Sequence, residues 1–377
     1  MKKALLGITI IMFLIITCLQ AVMAASNAEL EKRIKELENP SESNSDTLAK
    51  IADRLTFSGS VEIDLSYSDD SDISDNAINS SLSDIEVGTI ELGVEAILHD
   101  YVTANLLLKG EELDSDPTVF WDEAFFTIQK EGFPLYFVGG KRGLPFGSFE
   151  NQLINDPITC ELYEISDTGV TIGVIFDTLD INFSTTVYKG EVLMDTVSNA
   201  GYGFERNNTP GYTADDKIKS YIINFSMTPI EDLTIAAYFN SETGDDERNT
   251  TAGLSLHYEP FQFIIDSEYI TALNREKHFA DDKEYNESAW FFSLGYQIME
   301  PLIAAVRYES FDDDKKGGQD THLAYRYSLG ATYTLFTKKS FVCNLSLEYR
   351  KSEFEHTAGS NADNNLDELF AQLAIEF

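Results

Sequence analysis

Ser255 and His257 are the residues whose types and spacing come closest to an enzyme's machinery. Residues two apart in a strand share one face, and a serine beside a general base is the arrangement of nucleophilic catalysis. If Leu254, Leu256 and Tyr258 take the other face, the pair faces a polar interior, where a solvated Ser–His pair is the commoner case. We therefore predict that the protein is not an enzyme, and labelling of Ser255 by a serine-reactive probe would contradict this.

Acidic clusters form a second group of residues that could do chemistry. The stretches SDDSDISD at 68–75 and DDDKK at 312–316 carry carboxylates of the kind that bind divalent cations. Neither stretch has the ligand spacing of a calcium loop, so we interpret both as solvated loops and predict no metal site and no cofactor. Contacts to lipopolysaccharide bridged by divalent ions stay open as an alternative.

Charge and composition exclude two classes of protein. The formal net charge is -37, from 64 acidic and 27 basic residues. A protein that binds nucleic acid needs a basic surface, so this acidic sequence predicts no nucleic-acid partner. Hydrophobic residues make up 43% and aromatic residues 12%, which is too apolar for a disordered chain. Cys160 and Cys343 are the only cysteines after residue 24 and do not make a disulfide framework.

The first 54 residues differ from the rest of the chain. Residues 1–24, MKKALLGITIIMFLIITCLQAVMA, have the basic start, apolar run and small residues of a cleaved secretory signal. In residues 25–54, Ser26 and Glu29 form a capping box before a helical run. Apolar side chains then recur at helical spacing, at Leu30, Ile34 and Leu37. We predict a short helix with a linker, either as a coiled coil that trimerises the chain or as a single amphipathic helix.

From Leu55 to Phe377 one pattern repeats, in which apolar residues alternate with polar ones. The final stretch LDELFAQLAIEF, for example, places Leu373, Ile375 and Phe377 on one face. A period of two indicates a strand with one apolar face, and we count about sixteen such segments. A terminal phenylalanine after such a strand resembles the assembly signal of outer-membrane barrels, which implies the barrel-assembly machinery as a partner.

The connections between these segments alternate in length. Short connections are predicted at 99–100, 131–134, 178–180, 229–232, 259–260, 298–301 and 336–340. Long ones are predicted at 68–83, 111–118, 143–167, 190–217, 241–250, 271–287, 311–322 and 351–365. Short turns inside and long loops outside are typical of a transmembrane barrel. We therefore predict an all-β, antiparallel barrel over residues 55–377 in the outer membrane of a Gram-negative bacterium, with residues 25–54 in the periplasm.

A barrel of about sixteen strands leaves a water-filled lumen unless something fills it, and only about 30 residues precede it. The predicted inward acidic residues are Glu62, Asp64, Glu91, Glu95, Asp266, Glu268, Glu309, Glu348 and Glu376. The predicted inward basic residues are Lys109, Arg307, Arg326 and Arg350, with Lys141 or Arg142. This balance predicts a channel that prefers cations and has no basic ladder for phosphate.

The connection KRGLPFGSFENQLINDPITCELYEISDTG at 141–169 is more apolar than the other long loops. It either folds inward and narrows the pore or packs on the rim or on a neighbouring subunit. The candidate constriction and lumen residues are Lys141, Arg142, Phe146, Phe149, Glu150, Asp156, Glu161, Arg307, Arg326 and Arg350.

The stretch GGKRGLPFGSFENQLINDPITCELYE, followed by TGVTIG, resembles the corresponding region of the LbtU-type siderophore porins. Lys141, Pro145, Phe146, Asp156 and Pro157 are among the positions that carry the resemblance. It implies an outer-membrane barrel without a plug that takes up a ferric siderophore. A general or carbohydrate-type diffusion porin is the alternative, and a homotrimer embedded among outer-membrane lipids and lipopolysaccharide is the expected assembly.

Overall fold

A computed structural model describes residues 52–69, 81–111, 113, 117–200, 218–244, 247–277, 284–313, 323–354 and 365–377. The predicted signal at 1–24 and nearly all of the predicted helical segment at 25–54 lie outside these residues. The strands are β1 Leu55–Asp69, β2 Ser81–His99, β3 Val102–Glu111, β4 Thr118–Gln129, β5 Leu135–Gly143, β6 Ser166–Phe176, β7 Ile181–Lys189, β8 Ile218–Ile230, β9 Leu233–Thr243, β10 Arg248–Tyr258, β11 Phe263–Asn274, β12 Glu287–Met299, β13 Leu302–Asp313, β14 Leu323–Lys338, β15 Phe341–Phe354 and β16 Asn365–Glu376. Two short α-helices are also present, α1 Ile158–Tyr163 and α2 Val192–Asn199.

The sixteen strands form one closed antiparallel barrel in which each strand pairs with its neighbours in sequence. The ring closes between β1 and β16, where Val61 lies opposite Ile375 and Ile63 lies opposite Leu373. This confirms the predicted architecture and strand number. Closure leaves no sheet edge unpaired, which a strand-built protein needs in a lipid bilayer.

The two faces of the wall differ as the sequence pattern predicts. Strand β11 shows this clearly, because Tyr269 is 47% exposed on the outside while the adjacent Glu268 is 1% exposed on the inside. The same alternation runs along β14, where Tyr327 and Leu329 are exposed and Ser328 is buried. Apolar side chains therefore face outward, where the bilayer lies, and polar side chains face the lumen.

The connections follow the predicted alternation with one correction. Seven short turns lie on one end of the barrel, the shortest of them two residues long. On the other end, the predicted long loop at 241–250 is only the four residues 244–247, because β9 and β10 extend further than expected. Among the residues that the structure describes, no helix has the length and apolar character needed to cross a membrane.

Candidate functional site

The connection between β5 and β6, residues 144–165, is called the inner segment here. Its first residues already leave the wall, because the Asn224 side chain on β8 donates to the Pro145 carbonyl at 3.2 Å. Further along, it contacts inward-facing residues of β11 to β15. In a ring of sixteen strands β13 lies eight places from β5, which is the opposite wall, so the segment crosses the lumen.

The far end of the inner segment is held by charged side chains of the opposite wall. The Ile158 amide donates to Glu309 on β13 at 2.6 Å, and the Asn155 amide donates to Glu348 on β15 at 2.8 Å. Arg326 on β14 bonds to Glu161 at 2.9 Å. Arg307 on β13 donates to the Asn151 side chain at 2.7 Å and to the Asp156 carbonyl at 3.0 Å.

A turn at the near end of the inner segment is fixed by one wall carboxylate. Glu268 on β11 accepts from the Ser148 amide at 2.7 Å and from the Thr159 hydroxyl at 2.7 Å. Gly147 has a φ of +94°, and a Cβ there would lie 2.0 Å from the Phe149 ring. Glycine is thus required at this position, because a side chain would meet both strain and a clash.

Apolar residues of the inner segment pack together inside the barrel. Phe146, Ile158, Leu162 and Tyr163 are fully buried, and the Phe146 ring lies 6.0 Å from the ring of Tyr238 on β9. The second helix adds three further buried side chains to this inner core, at Leu193, Met194 and Val197. The inner core occupies the side of the lumen bounded by β7 to β14, from Tyr188 to Leu323.

Helix α2 was not expected from the sequence, which predicted a polar outer loop at 190–217. Glu242 on β9 is fully buried and accepts from the Leu193 amide at 2.8 Å and the Met194 amide at 3.1 Å. The Tyr188 hydroxyl also donates to Glu242, at 2.6 Å. These bonds satisfy helix amides that lack an intrahelical partner. The signal available in the sequence was the apolar run VLM after Glu191.

Most basic groups on this side of the lumen are buried in ion pairs. Arg307 and Arg326 are 2% and 4% exposed, and both lie near Glu309, at 3.2 Å and 3.8 Å. Arg275, which follows β11, is 1% exposed and pairs with Glu287 on β12. Sequence reasoning missed the Arg275–Glu287 pair, whose members are separated by a loop. These guanidinium groups hold the inner segment and its surroundings rather than lining a path for solutes.

The wall away from the inner core is lined mainly by carboxylates. Lys109 on β3 is paired with Glu111 at 2.9 Å and with Glu91 at 3.9 Å. Arg350 on β15 bonds to Glu368 at 2.7 Å and lies over an aromatic ring, at 5.0 Å from the Phe370 centroid. The partly exposed carboxylates on this side that have no basic partner within ion-pair distance in the described residues are Glu62, Asp64, Glu95, Glu123 and Glu376.

Three acidic residues of the inner segment, Glu150, Asp156 and Glu164, keep exposed surface, but the protein packed around their carboxyl groups removes part of the surrounding water. Burial raises the pKa of Asp156, and the nearby Arg307 offsets this effect only in part. Burial likewise raises the pKa of Glu164, with Asp156 adding to the shift, and burial raises the pKa of Glu150. Burial also raises the pKa of the Cys160 thiol, so this cysteine is not a reactive thiolate.

Two neighbouring basic candidates take opposite faces of β5. Arg142 faces the lumen, where it donates to the Thr171 hydroxyl at 3.0 Å and lies over the Phe125 ring at 5.9 Å. Lys141 pairs with Thr168, on the face that carries the exposed Val170. Lys141 therefore lies on the outward face, which corrects its inclusion among the lumen residues. Of the two basic residues, one of which was predicted to face the lumen, Arg142 is the one that does.

Ser255 and His257 share the lumen face, but each bonds to a different residue. The Ser255 hydroxyl bonds to the Tyr238 hydroxyl, and His257 Nδ1 lies 2.6 Å from Asp266. Asp266 also accepts from the Gln152 side chain at 3.2 Å. Both residues therefore support the inner segment and its surroundings. In the described ranges, no group of three or more His, Cys, Asp or Glu side chains is arranged to hold a metal ion.

Phe377 completes the barrel at the seam between its first and last strands. Its amide and carbonyl exchange two hydrogen bonds with Gly59, both 3.0 Å long. Its ring stacks on Phe341 of β15 with centroids 5.9 Å apart. Ile375 and Leu373 precede it on the outward face, paired with β1 as described above. The assembly role predicted for these three residues stays a prediction.

A closed antiparallel barrel with an apolar outer face and an inward-folded charged segment defines an outer-membrane channel of the porin class. The comparison of sequences gives the family. Residues 19–353 match the family described as Gram-negative porin, and the chain belongs to that family. The protein is therefore located in the outer membrane of a Gram-negative bacterium. No curated protein sequence matches the chain significantly.

Solved structures share the fold at low sequence identity. An anion-selective porin from Comamonas acidovorans aligns with a TM-score of 0.58 and 11% identity, over 85% of this chain and 98% of that one. The outer-membrane channel DcaP of Acinetobacter baumannii aligns with a TM-score of 0.57 and 11% identity, over 85% of this chain and 96% of that one. The trimer form of OmpT from Vibrio cholerae aligns with a TM-score of 0.55 and 11% identity, over 86% of this chain and 99% of that one. Identities this low establish the fold and leave selectivity to the residues of this chain.

Proposed function

We propose that this protein is a diffusion channel for small hydrophilic solutes, that the inner segment narrows it, and that it prefers cations. The observation that carries the proposal is the unequal use of charge on the two sides of the lumen. Arg307 and Arg326 are buried in contacts with the inner segment and Glu309. Carboxylates such as Glu62, Asp64 and Glu123 line the other side.

The electrostatic argument follows from geometry. A fixed charge acts over about 8 Å at physiological ionic strength, a distance comparable to a pore radius. A guanidinium group that is paired with a carboxylate contributes little net field, whereas an unpaired carboxylate attracts cations to the path. The preference should therefore weaken as the salt concentration rises.

Ion selectivity in planar bilayers tests the proposal. Reversal potentials under a KCl gradient should show cation preference in the unaltered protein. Replacing Asp64 and Glu123 together by Asn and Gln should reduce that preference at low salt. Glu353→Gln is the matched control, because Glu353 lies at the outer rim, bonded to Tyr325, and should leave the reversal potential unchanged. Anion preference at low salt would refute the proposal.

Aromatic side chains of the lumen support a general channel over a carbohydrate channel. Phe125 and Phe370 face inward, and each already has a guanidinium group over its ring, from Arg142 and Arg350. A ring covered in this way is not open for stacking on a sugar. Competition by maltose-type sugars against ion current tests this alternative, and strong current block would favour it.

Uptake of a ferric siderophore is the narrower form of the proposal, and it rests on the resemblance in residues 141–169. Because many ferric complexes of carboxylate siderophores are anionic, the acidic path would oppose them. A siderophore substrate of this channel should therefore form a neutral or cationic ferric complex. Uptake of labelled iron complexes of both charge types, in cells with and without this protein, tests this form. Faster uptake of the anionic complexes would contradict the charge argument.

Assembly is a separate part of the proposal. We propose a homotrimer, in keeping with the trimer form in which one structural neighbour was solved, and insertion by the barrel-assembly machinery. The mass of the detergent-solubilised protein, measured by light scattering with the detergent contribution subtracted, tests the oligomeric state. A monomeric mass would refute it.

A further inference from the structure

A cavity of about 920 Å³ lies inside the barrel at the short-turn end of β2 to β6 and is called the turn-end cavity here. The inward-facing side chains that line it include Glu95, Ile97, Thr103, Gln129 and Ile175. The turns that follow β2, β4 and β6 complete its rim. None of the described residues that line it belongs to the inner segment. Short turns lie on the periplasmic side of such a barrel, so the cavity is at the periplasmic end of the channel.

Two apolar side chains line the turn-end cavity from the lumen face of the wall. Ile97 lies two residues after Glu95 on β2 and is 41% exposed. Ile175 lies four residues after Thr171 on β6 and is partly exposed. Because residues an even number apart share a strand face, both isoleucines face the lumen, as Glu95 and Thr171 do. Water touches these side chains in the open channel, so a ligand that covers them gains free energy.

The polar part of the turn-end cavity is acidic. Four carboxylates line it, at Glu95, Asp100, Glu131 and Asp177. In the described part of the chain, none of the four lies within ion-pair distance of a basic group. The single lysine of the lining, Lys130, lies over the Tyr101 ring at 5.6 Å from its centroid. The cavity therefore has a net negative charge, which attracts cations and repels anions.

Backbone hydrogen bonds hold the turns around the turn-end cavity in place. The Gln129 amide donates to the Tyr101 carbonyl at 2.9 Å, which joins β4 to the turn after β2. The Ile175 amide donates to the Pro134 carbonyl at 2.8 Å, which joins β6 to the turn after β4. A cavity with walls fixed in this way loses little conformational freedom when a ligand binds.

We propose that the turn-end cavity binds organic cations that carry an apolar ring, as they leave the channel toward the periplasm. This inference rests on the proposed cation preference and names a class of solute for the channel. The ammonium group of such a solute meets Glu95 and Glu131, while its ring covers Ile97 and Ile175. A volume of about 920 Å³ is within the range of sites that hold small organic ligands. Inorganic cations lack the ring and neutral aromatic molecules lack the charge, so neither makes both contacts.

Block of the single-channel current by three small molecules tests this assignment. Phenethylammonium carries both the charge and the ring, ethylammonium carries only the charge, and phenethyl alcohol carries only the ring. The concentration that halves the current should be about tenfold lower for phenethylammonium than for either of the other two. Partial burial of a phenyl ring against apolar side chains is enough for a difference of this size.

Two double variants separate the contributions of the ring and the charge. Ile97→Asn with Ile175→Asn should bring phenethylammonium to the potency of ethylammonium, because the apolar surface is lost. Glu95→Gln with Glu131→Gln should weaken block by phenethylammonium roughly tenfold, because the ammonium group loses its carboxylates. The matched control is Glu231→Gln with Glu300→Gln, which removes the same two charges from other short turns, outside the cavity. Block of the control should stay within about twofold of the unaltered protein.

Other outcomes overturn the assignment. Equal block of the unaltered protein by phenethylammonium and ethylammonium would do so, as would unchanged block in the variant that lacks Glu95 and Glu131. Either result, together with cation preference in the reversal potentials, would refute this assignment and leave the proposed function standing. Anion preference without a blocker would refute the proposed function and this assignment with it. Ile97→Ser alone replaces the isoleucine double variant if that protein does not show heat-modifiable folding.

Discussion

Arg326 on β14 bonds to Glu161 of the inner segment at 2.9 Å, across 165 positions of sequence. Arg326 is 4% exposed and also lies 3.8 Å from Glu309, so one guanidinium serves two carboxylates. The bond joins the far end of the inner segment to the wall. It is therefore the contact whose loss should most directly release the segment from that wall.

Arg326→Gln should lower the thermal stability of the folded barrel and increase current fluctuations through single channels. The change removes a cation and leaves Glu161 and Glu309 without it in a partly buried site, which is costly. Glu161→Gln should have a smaller effect, because Glu161 is more exposed and Arg326 keeps Glu309. The double variant should be less destabilised than the sum of the two single variants. Additive effects would show that the bond contributes nothing.

Removing residues 146–162 should raise single-channel conductance and admit larger solutes. The deletion takes away the part of the inner segment that crosses the lumen, while β5 and β6 remain joined. A deletion within residues 355–364, between β15 and β16, serves as the control, and it should leave the conductance unchanged. If the variant without residues 146–162 had the same conductance as the control variant, the inner segment would not limit the flow of ions.

Gly59→Leu should impair closure of the barrel. A Cβ at this position would lie 2.7 Å from the Glu91 carbonyl oxygen and 2.7 Å from the Phe377 ring. A larger side chain would therefore disturb both neighbours of β1 at the seam. Phe377→Ala should give a milder defect, because it removes the stacking on Phe341 and keeps the backbone bonds. Heat-modifiable migration in outer-membrane fractions measures both, and unaltered yield of Gly59→Leu would contradict the prediction.

Asp156→Asn should change how stability depends on pH. Burial raises the pKa of Asp156, so the folded protein favours the protonated form more than the unfolded chain does. The ionised carboxyl therefore costs stability, and this cost appears as the pH rises through the raised pKa. The variant should gain melting temperature relative to the unaltered protein at pH 8 and lose that advantage under acidic conditions. If the melting temperature of the variant exceeded that of the unaltered protein by more at low pH than at pH 8, the pKa of Asp156 would not be raised in the folded protein.

The strands of the barrel wall were predictable because the alternation of apolar and polar residues is visible within each strand. Alternation in β16 alone assigns Leu373 and Ile375 to the outward face, and the same local rule applies around the ring. Lys141 and Arg142 show the limit of that rule. They are adjacent in sequence, so one of them had to face the lumen, but only the register against Thr168 decides which one.

The contacts inside the barrel could not be predicted from the spacing of residues along each strand, because they join residues that are far apart in the sequence. Arg307 and Arg326 were predicted to face inward, and they do, but their partners Asn151 and Glu161 lie in a distant connection. Helix α2 is eight residues long, too short to be stable on its own in water. It exists because Glu242 and the inner core hold it, and neither is visible in the local sequence.

The inner segment also has a mechanical consequence. A barrel wall is a single layer, which resists stretching along its hydrogen bonds better than it resists flattening. The segment starts at β5 and is bonded to β13, β14 and β15, so it joins two nearly diametrically opposite places on the ring. It therefore acts as a crossbar that fixes one diameter, and lateral pressure from the bilayer cannot make the ring oval without first breaking the bonds at Glu309, Arg326 and Glu348.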